Sequence, residues 1–109
     1  MTVSSFFNQF NMLSVYQQRE TRHDYHECVV CNTGMDAWID MLEKVLGQAA
    51  KPFGAQPQVE HLAMSNSFGG IFRNQILFQK KVGDVTMLAM VWPWQNNMYT
   101  TVKMALVKS

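Results

Sequence analysis

Residues 85–92 form an almost unbroken apolar run, which limits the possible folds more than any other feature of the chain. Its members are Val85, Thr86, Met87, Leu88, Ala89, Met90, Val91 and Trp92. A strand with one face in water alternates apolar and polar side chains, whereas a strand covered on both faces is apolar throughout. The run is therefore predicted to be a central strand, or a strand whose second face is covered by something else.

Strand patterns lie on both sides of this run. Residues 71–82 alternate between apolar and polar positions along much of their length. Gly83 and Asp84 then form a two-residue turn of the kind that closes a β-hairpin. Residues 98–107 alternate again and predict a last strand. Three consecutive strands joined by short connections predict an antiparallel meander.

Two further strand patterns precede this region. Val59, Leu62 and Met64 fit a first strand of the same meander. Residues 25–31 are rich in Val, Cys and Tyr and fit a short strand. The sheet is therefore predicted to contain three or four strands, built mainly by the C-terminal half of the chain.

Two helical patterns occur in the N-terminal half. The first follows Ser4 and Ser5, which can cap a helix, and its apolar side comprises Phe6, Phe7, Phe10, Leu13 and Tyr16. The second has apolar residues three and four positions apart, at Met35, Trp38, Ile39, Leu42, Val45, Leu46 and Ala49. Thr33 is its predicted cap, and Pro52 is expected to close it. The chain is thus predicted to be one α+β domain over residues 1–109, with two N-terminal helices packed on an antiparallel three- to four-stranded meander.

Composition disfavours several classes of protein. Nine Lys and Arg against eight Asp and Glu give a formal net charge of +1, too small to attract nucleic acid at long range. No segment reaches the roughly 20 apolar residues that a membrane-spanning helix needs. No basic residue precedes Arg19, so the first residues lack the pattern of a signal peptide. We therefore predict a cytoplasmic protein that binds neither nucleic acid nor membranes.

One short segment has potential for metal or thiol chemistry. His23, His26, Cys28 and Cys31 fall within nine residues, and all four are types that bind zinc. Two cysteines with two residues between them, just before a helix, also occur in thiol redox sites. A structural zinc site, however, normally uses two ligand pairs that are well separated in sequence. The simpler interpretation is that the cysteines are buried side chains of a short strand.

The most informative surface feature is an excess of methionine and aromatic residues near the last predicted hairpin. The residues are Met90, Trp92, Trp94, Met98 and Tyr99. Methionine and aromatic side chains are enriched at the cores of protein interfaces. Because two helices can cover only one face of a wide sheet, the second face is predicted to contact a second copy of the chain, another protein or a ligand.

These observations favour a non-enzymatic interaction module that forms a homo-oligomer or binds a protein partner. The alternative is a small-molecule-binding domain or a small enzyme, with a pocket between helices and sheet that uses Trp38, His61 or Arg73. No catalytic residue is predicted, because no motif supports one. No cofactor is predicted either.

Overall fold

A computed structural model describes residues 3–108, so that Met1, Thr2 and Ser109, which the predicted domain includes, lie outside the described residues. The described chain folds into five strands, β1 (Gln17–Thr21), β2 (Tyr25–Cys31), β3 (Ile76–Val82), β4 (Val85–Pro93) and β5 (Tyr99–Lys108). Its two α-helices are α1 (Met35–Leu46) and α2 (Val59–Ser65). Short 3-10 helices occupy Val3–Ser5, Phe7–Phe10, Asn32–Gly34 and Asn66–Phe68. The fold is therefore α+β, as predicted.

The five strands form one antiparallel sheet in the order β1-β2-β5-β4-β3. Strands β1 and β2 form a hairpin, and β3, β4 and β5 form a meander. The pairing of β2 with β5 joins these two units, with Tyr25 opposite Ala105 and Cys31 opposite Tyr99. Because β2 precedes both α-helices and β5 follows them, this pairing unites distant parts of the chain.

Helix α1 covers the first face of the sheet. Its buried side chains are Trp38, Leu42, Val45 and Leu46, and the sheet residues packed with them are Cys28, Val30, Phe78, Met87, Ala89, Val91, Val102 and Met104. Phe6 and Phe10, from the N-terminal 3-10 helices, complete this core. Helix α1 ends at Gly47, which adopts a φ of 86° and donates its backbone N–H to the Glu43 carbonyl at 2.8 Å.

The chain itself covers part of the second face. Residues 51–73, which we call the crossover segment, contain α2 and connect the two halves of the sheet. Beneath this segment lies a second apolar cluster, formed by Tyr25, Ile71, Leu77, Leu88, Met90 and Ala105. The apolar run of β4 is therefore explained, because its alternate side chains enter the two clusters.

Lys51 anchors the start of the crossover segment to strand β3. Its backbone exchanges two hydrogen bonds with Leu77, at 3.1 and 3.0 Å. Its side chain is only 1% exposed, and Nζ donates to the carbonyl oxygens of Arg73 and Gln75 at 2.6 and 2.5 Å. Burial, and secondarily the Arg73 charge, lower the pKa of the Lys51 ammonium group. A buried cation is tolerated here because two carbonyl oxygens face it.

The sheet differs from the prediction in strand number and origin. It has five strands instead of three or four, and the N-terminal half contributes two of them. Strand β1 was not predicted because all five of its residues are exposed and none is apolar. The predicted strand over 71–82 begins only at Ile76, since residues 71–75 are irregular chain and a turn.

The helices also differ from the prediction. The N-terminal segment forms two short 3-10 helices instead of one amphipathic helix, and Tyr16 is 61% exposed. The predicted first strand at Val59, Leu62 and Met64 is helix α2. Thr33 does not cap α1, because Asn32–Gly34 form a 3-10 helix and Gly34 takes the cap position. Among residues 3–108, no helix combines the length and apolar character required to cross a membrane.

Candidate functional site

The four predicted metal ligands do not come together. Successive side chains of a strand point to opposite faces, so His26 and Cys28 lie on the first face of β2 while Cys31 lies on the second. His23 is in the β1–β2 turn, where its side chain is 94% exposed. Within residues 3–108, no group of three or more His, Cys, Asp or Glu side chains is arranged to hold a metal ion. The close sequence spacing that suggested a zinc site belongs to a strand and its preceding turn. An extended strand places these side chains on different faces and so keeps the ligands apart.

The two cysteines have different environments. Cys28 is buried in the first-face core, and burial, assisted by the Glu27 charge, raises the pKa of its thiol from 9.0 to about 11. Cys31, at the end of β2, is partly exposed. Because the two side chains occupy opposite faces, the predicted thiol redox pair is not formed.

This arrangement predicts unequal thiol reactivity. In the native protein, Cys31 is expected to react with a soluble disulfide reagent, whereas Cys28 should react only after unfolding. Its raised pKa alone reduces the thiolate fraction about a hundredfold at neutral pH. The Cys31→Ser and Cys28→Ser variants assign the two phases of the reaction. Equal and rapid labelling of both thiols in the folded protein would contradict this assignment.

A small cavity lies beside Cys28, between the N-terminal 3-10 helices and the sheet. Its volume is about 120 Å³, and its lining includes Gln18, His26, Cys28 and Trp38. The His26 ring stacks on Phe7 with centroids 3.9 Å apart, and burial lowers its pKa although a hydrogen bond to the Arg22 backbone opposes this shift. The lowered pKa of the histidine and the raised pKa of the cysteine both favour the neutral form of the side chain. In an activated thiolate–imidazolium pair both groups are charged, so the arrangement here is the reverse.

The three residues of the predicted ligand pocket are also separated. Trp38 is in the first-face core, and its indole N–H donates to the Ser14 carbonyl at 3.0 Å. His61 belongs to α2 in the crossover segment, and its Nδ1 accepts the Gln58 backbone N–H at 3.0 Å. Arg73 is exposed and donates from Nε to the Gly54 carbonyl at 3.0 Å. Trp38 therefore lies across the sheet from the other two, and the three residues do not line one pocket.

The predicted interaction residues divide into two groups. Met90 is fully buried beneath the crossover segment and does not reach the surface. Trp92 packs at the edge of the same cluster, with the Lys103 ammonium nitrogen 3.5 Å from its ring centroid. The Lys103 ammonium group also donates to the Phe68 carbonyl at 2.8 Å. These contacts make Met90 and Trp92 part of the chain's own packing.

The other three predicted residues lie together at one end of the sheet. The Trp94 and Tyr99 rings have centroids 5.2 Å apart, and the Trp94 indole N–H donates to Thr101 Oγ1 at 2.9 Å. Met98, in the turn between them, is 59% exposed. Tyr16 packs on Tyr99 with ring centroids 4.7 Å apart. We call Val15, Tyr16, Trp94, Met98 and Tyr99 the end surface.

Tyr16 was missed as a surface residue. Its spacing from Phe10 and Leu13 fits the apolar side of a helix, and the sequence pattern assigned it to a core. The only contrary signal is the run of polar and charged residues that begins at Gln17. Contact between Tyr16 and Tyr99 depends on the pairing of β2 with both β1 and β5, which local sequence does not reveal.

Shallow depressions adjoin the end surface on both sides of the Asn32–Gly34 turn. One depression, of about 320 Å³, is lined by Cys31, Asn32, Thr33, Asn97, Met98 and Tyr99. A second, of about 450 Å³, is lined by Ser14, Val15, Tyr16, Val30, Cys31, Thr33 and Gly34. The two share Cys31 and Thr33 and therefore adjoin one another. A third, of about 280 Å³, shares Asn32 with the first and is lined mainly by the apolar residues Met35, Ile39, Ile76, Val91 and Pro93.

Comparison with models of protein families, with curated proteins and with solved structures finds no match for this chain. Its function is therefore inferred from the geometry of the site.

Proposed function

We propose that this protein is a non-enzymatic interaction module that binds a peptide segment of a partner protein at the end surface. The proposal depends chiefly on one observation, the exposure of large apolar side chains beside adjoining depressions. Tyr16 and Met98 are 61% and 59% exposed, and Val15 is 40% exposed. Tyr, Trp and Met side chains are enriched at the cores of protein interfaces, and here they border a concave surface.

The shape and polarity of this region favour a peptide over a small metabolite. The depressions are open and adjoin one another along the Asn32–Gly34 turn, so together they can accept several side chains of one segment. Small-molecule sites are usually single clefts or cavities of roughly 300–1,000 Å³ with a few convergent polar groups. The cavity near Cys28 is smaller than this, at about 120 Å³.

A displayed library of random peptides, selected against the immobilised full chain, tests the proposal. We expect enrichment of peptides that contain apolar and aromatic residues. Met98→Glu and Tyr16→Ser should each weaken binding of the selected peptides roughly tenfold or more, because they place charge or remove a ring at the contact.

Phe53→Ser supplies the matched control for this experiment. Phe53 is 62% exposed, as much as Tyr16 and Met98, but it lies in the crossover segment. Its variant should keep full peptide binding, and far-ultraviolet circular dichroism should show that all three variants fold. The proposal fails if no peptide is enriched, or if the selected peptides bind the end-surface variants and the native protein equally.

A further inference from the structure

The two edges of the sheet differ in their capacity to pair with another chain. Strands β1 and β3 are the edge strands. One end of the β3 edge is already occupied by Lys51, which pairs with Leu77. The rest of β3 carries Lys80 and Lys81. Two copies that joined through β3 would bring these lysines together, and like charges on an edge strand oppose such pairing.

No segment other than β2 pairs with β1 within the described residues. All five side chains of β1 are exposed. Its charged residues, Arg19 and Glu20, are adjacent and of opposite sign. With a net charge of only +1, two copies of the whole chain do not repel each other strongly.

A β-bulge gives this charge pair an unusual orientation. The register with β2 shifts between Gln18 and Glu20, so Arg19 is the extra residue. Glu20 lies opposite Glu27, on the second face of the sheet. The Arg19 guanidinium carbon is 5.9 Å from the Trp94 ring centroid, which places that side chain on the second face too. Two consecutive residues of β1 therefore project from one face, which a regular strand does not allow.

We propose that two copies of this chain form a symmetric dimer through antiparallel pairing of their β1 strands. Directly opposed residues of an antiparallel pair lie on the same face of the sheet. Arg19 of one copy can therefore face Glu20 of the other, and the two-fold axis repeats this contact. Glu20 forms an ion pair with Arg22 at 3.7 Å, but its side chain is 45% exposed, so its carboxylate can also contact a cation of a second copy. The dimer contains one continuous ten-stranded sheet.

Sedimentation equilibrium of the full chain and its charge variants tests this pairing. We expect the native chain to show a concentration-dependent monomer–dimer equilibrium. Arg19→Glu places two acidic pairs at the contact, and Glu20→Arg places two basic pairs there, so each should weaken dimerisation roughly tenfold or more. An equimolar mixture of the two variants should restore dimers, because both contacts then join opposite charges.

Lys81→Glu is the matched control, since it changes net charge by the same amount as Arg19→Glu but lies on β3. Lys81→Glu should dimerise like the native chain. Mixed with Glu20→Arg, it should form no more dimer than an equal mixture of the native chain and Glu20→Arg. Hydrogen exchange should show that the amides of β1 become protected as concentration rises. The proposal is overturned if the native chain stays monomeric up to about 1 mM, or if dimers persist unchanged in both single variants. Peptide binding at the end surface is measured independently, so either result leaves that test intact.

Discussion

Replacing Gly69 with alanine is expected to destabilise the protein by about 3 kcal/mol and to lower its melting temperature by roughly 15 °C. Gly69 adopts a φ of 102°, a conformation that residues with a Cβ atom rarely take. An added Cβ would lie 2.5 Å from Cη2 of Trp92 and 3.3 Å from Cζ2. Backbone strain and steric overlap therefore act together at this position.

The Trp92 ring cannot easily move away from such a methyl group. The Lys103 ammonium nitrogen lies 3.5 Å from its ring centroid and is also 3.4 Å from the position of the added Cβ. Displacing the indole would separate this cation from the ring and disturb its hydrogen bond to Phe68. We therefore expect the second-face cluster, and not only the loop at Gly69, to lose packing.

Gly70→Ala separates the two contributions. Gly70 also has a positive φ, of 85°, but an added Cβ would meet nothing within 4 Å. This variant should lose only the backbone contribution, about 1 kcal/mol. Thermal and urea unfolding of the two variants, compared with the native chain, gives the steric contribution as their difference. Equal destabilisation by the two substitutions would show that Trp92 does not pack tightly against Gly69.

The elements that the sequence predicted correctly are those whose pattern is local. The apolar stripe of α1, from Met35 to Leu46, repeats over three turns, and four of its residues are buried. Gly83 and Asp84 form the predicted turn, which brings Val82 opposite Val85. In these segments the intrinsic propensities of the residues, the apolar pattern and the turn residues all favour the same structure. Tertiary contacts therefore do not override the local preference.

Helix α2 was mistaken for a strand because it is short and has unusual caps. Seven residues span only two turns, too few for a helical period to be distinguished from alternation. Its start is fixed by a capping box in which Gln58 and His61 replace the usual Ser or Thr and Glu. Tertiary contact adds to this, since Ser65 is fully buried and donates to the His61 carbonyl at 2.8 Å.

The candidate site was predicted only in part, because the sheet topology decides which of its residues reach the surface. Met98 and Tyr99 are neighbours in sequence, and Trp94 is close to them, so a local count of aromatic and methionine residues found all three. The same count included Met90, which strand alternation and the crossover segment place in a core. The prediction that another chain must cover the second face assumed that residues 59–64 were part of the sheet. Because they form α2 instead, the chain supplies part of that cover.

Replacing Lys51 with methionine is expected to destabilise the protein by about 3 kcal/mol at neutral pH. Methionine preserves the length of the side chain but cannot donate to the carbonyl oxygens of Arg73 and Gln75. A buried carbonyl that loses its partner costs about 1–3 kcal/mol, and relief of the lysine desolvation offsets only part of the loss. Lys80→Met, at an exposed residue of β3, should change the free energy of unfolding by no more than about 0.5 kcal/mol.

The pH dependence of this effect reports whether the Lys51 ammonium group is desolvated in the folded protein. The pKa of Lys51 is lowered in the folded protein, so the unfolded chain binds more protons between that lowered value and the ordinary value of 10.5. Stability contributed by this group must therefore rise with pH across that window, and it is constant below it. The difference in unfolding free energy between the native chain and Lys51→Met should increase as pH approaches 10.5.

Other groups titrate in the same range with the opposite sign. Burial raises the pKa of Tyr25, and burial likewise raises that of Cys28 to about 11, so both favour the folded state less as pH increases. These effects are common to the native chain and the variant and cancel in the difference between them. Urea unfolding of both proteins at pH 7 and at pH 10 gives that difference directly. A constant difference would mean that the Lys51 ammonium group is solvated in the folded protein. A difference that shrinks with pH would mean that its two carbonyl partners stabilise the charged form more than burial opposes it.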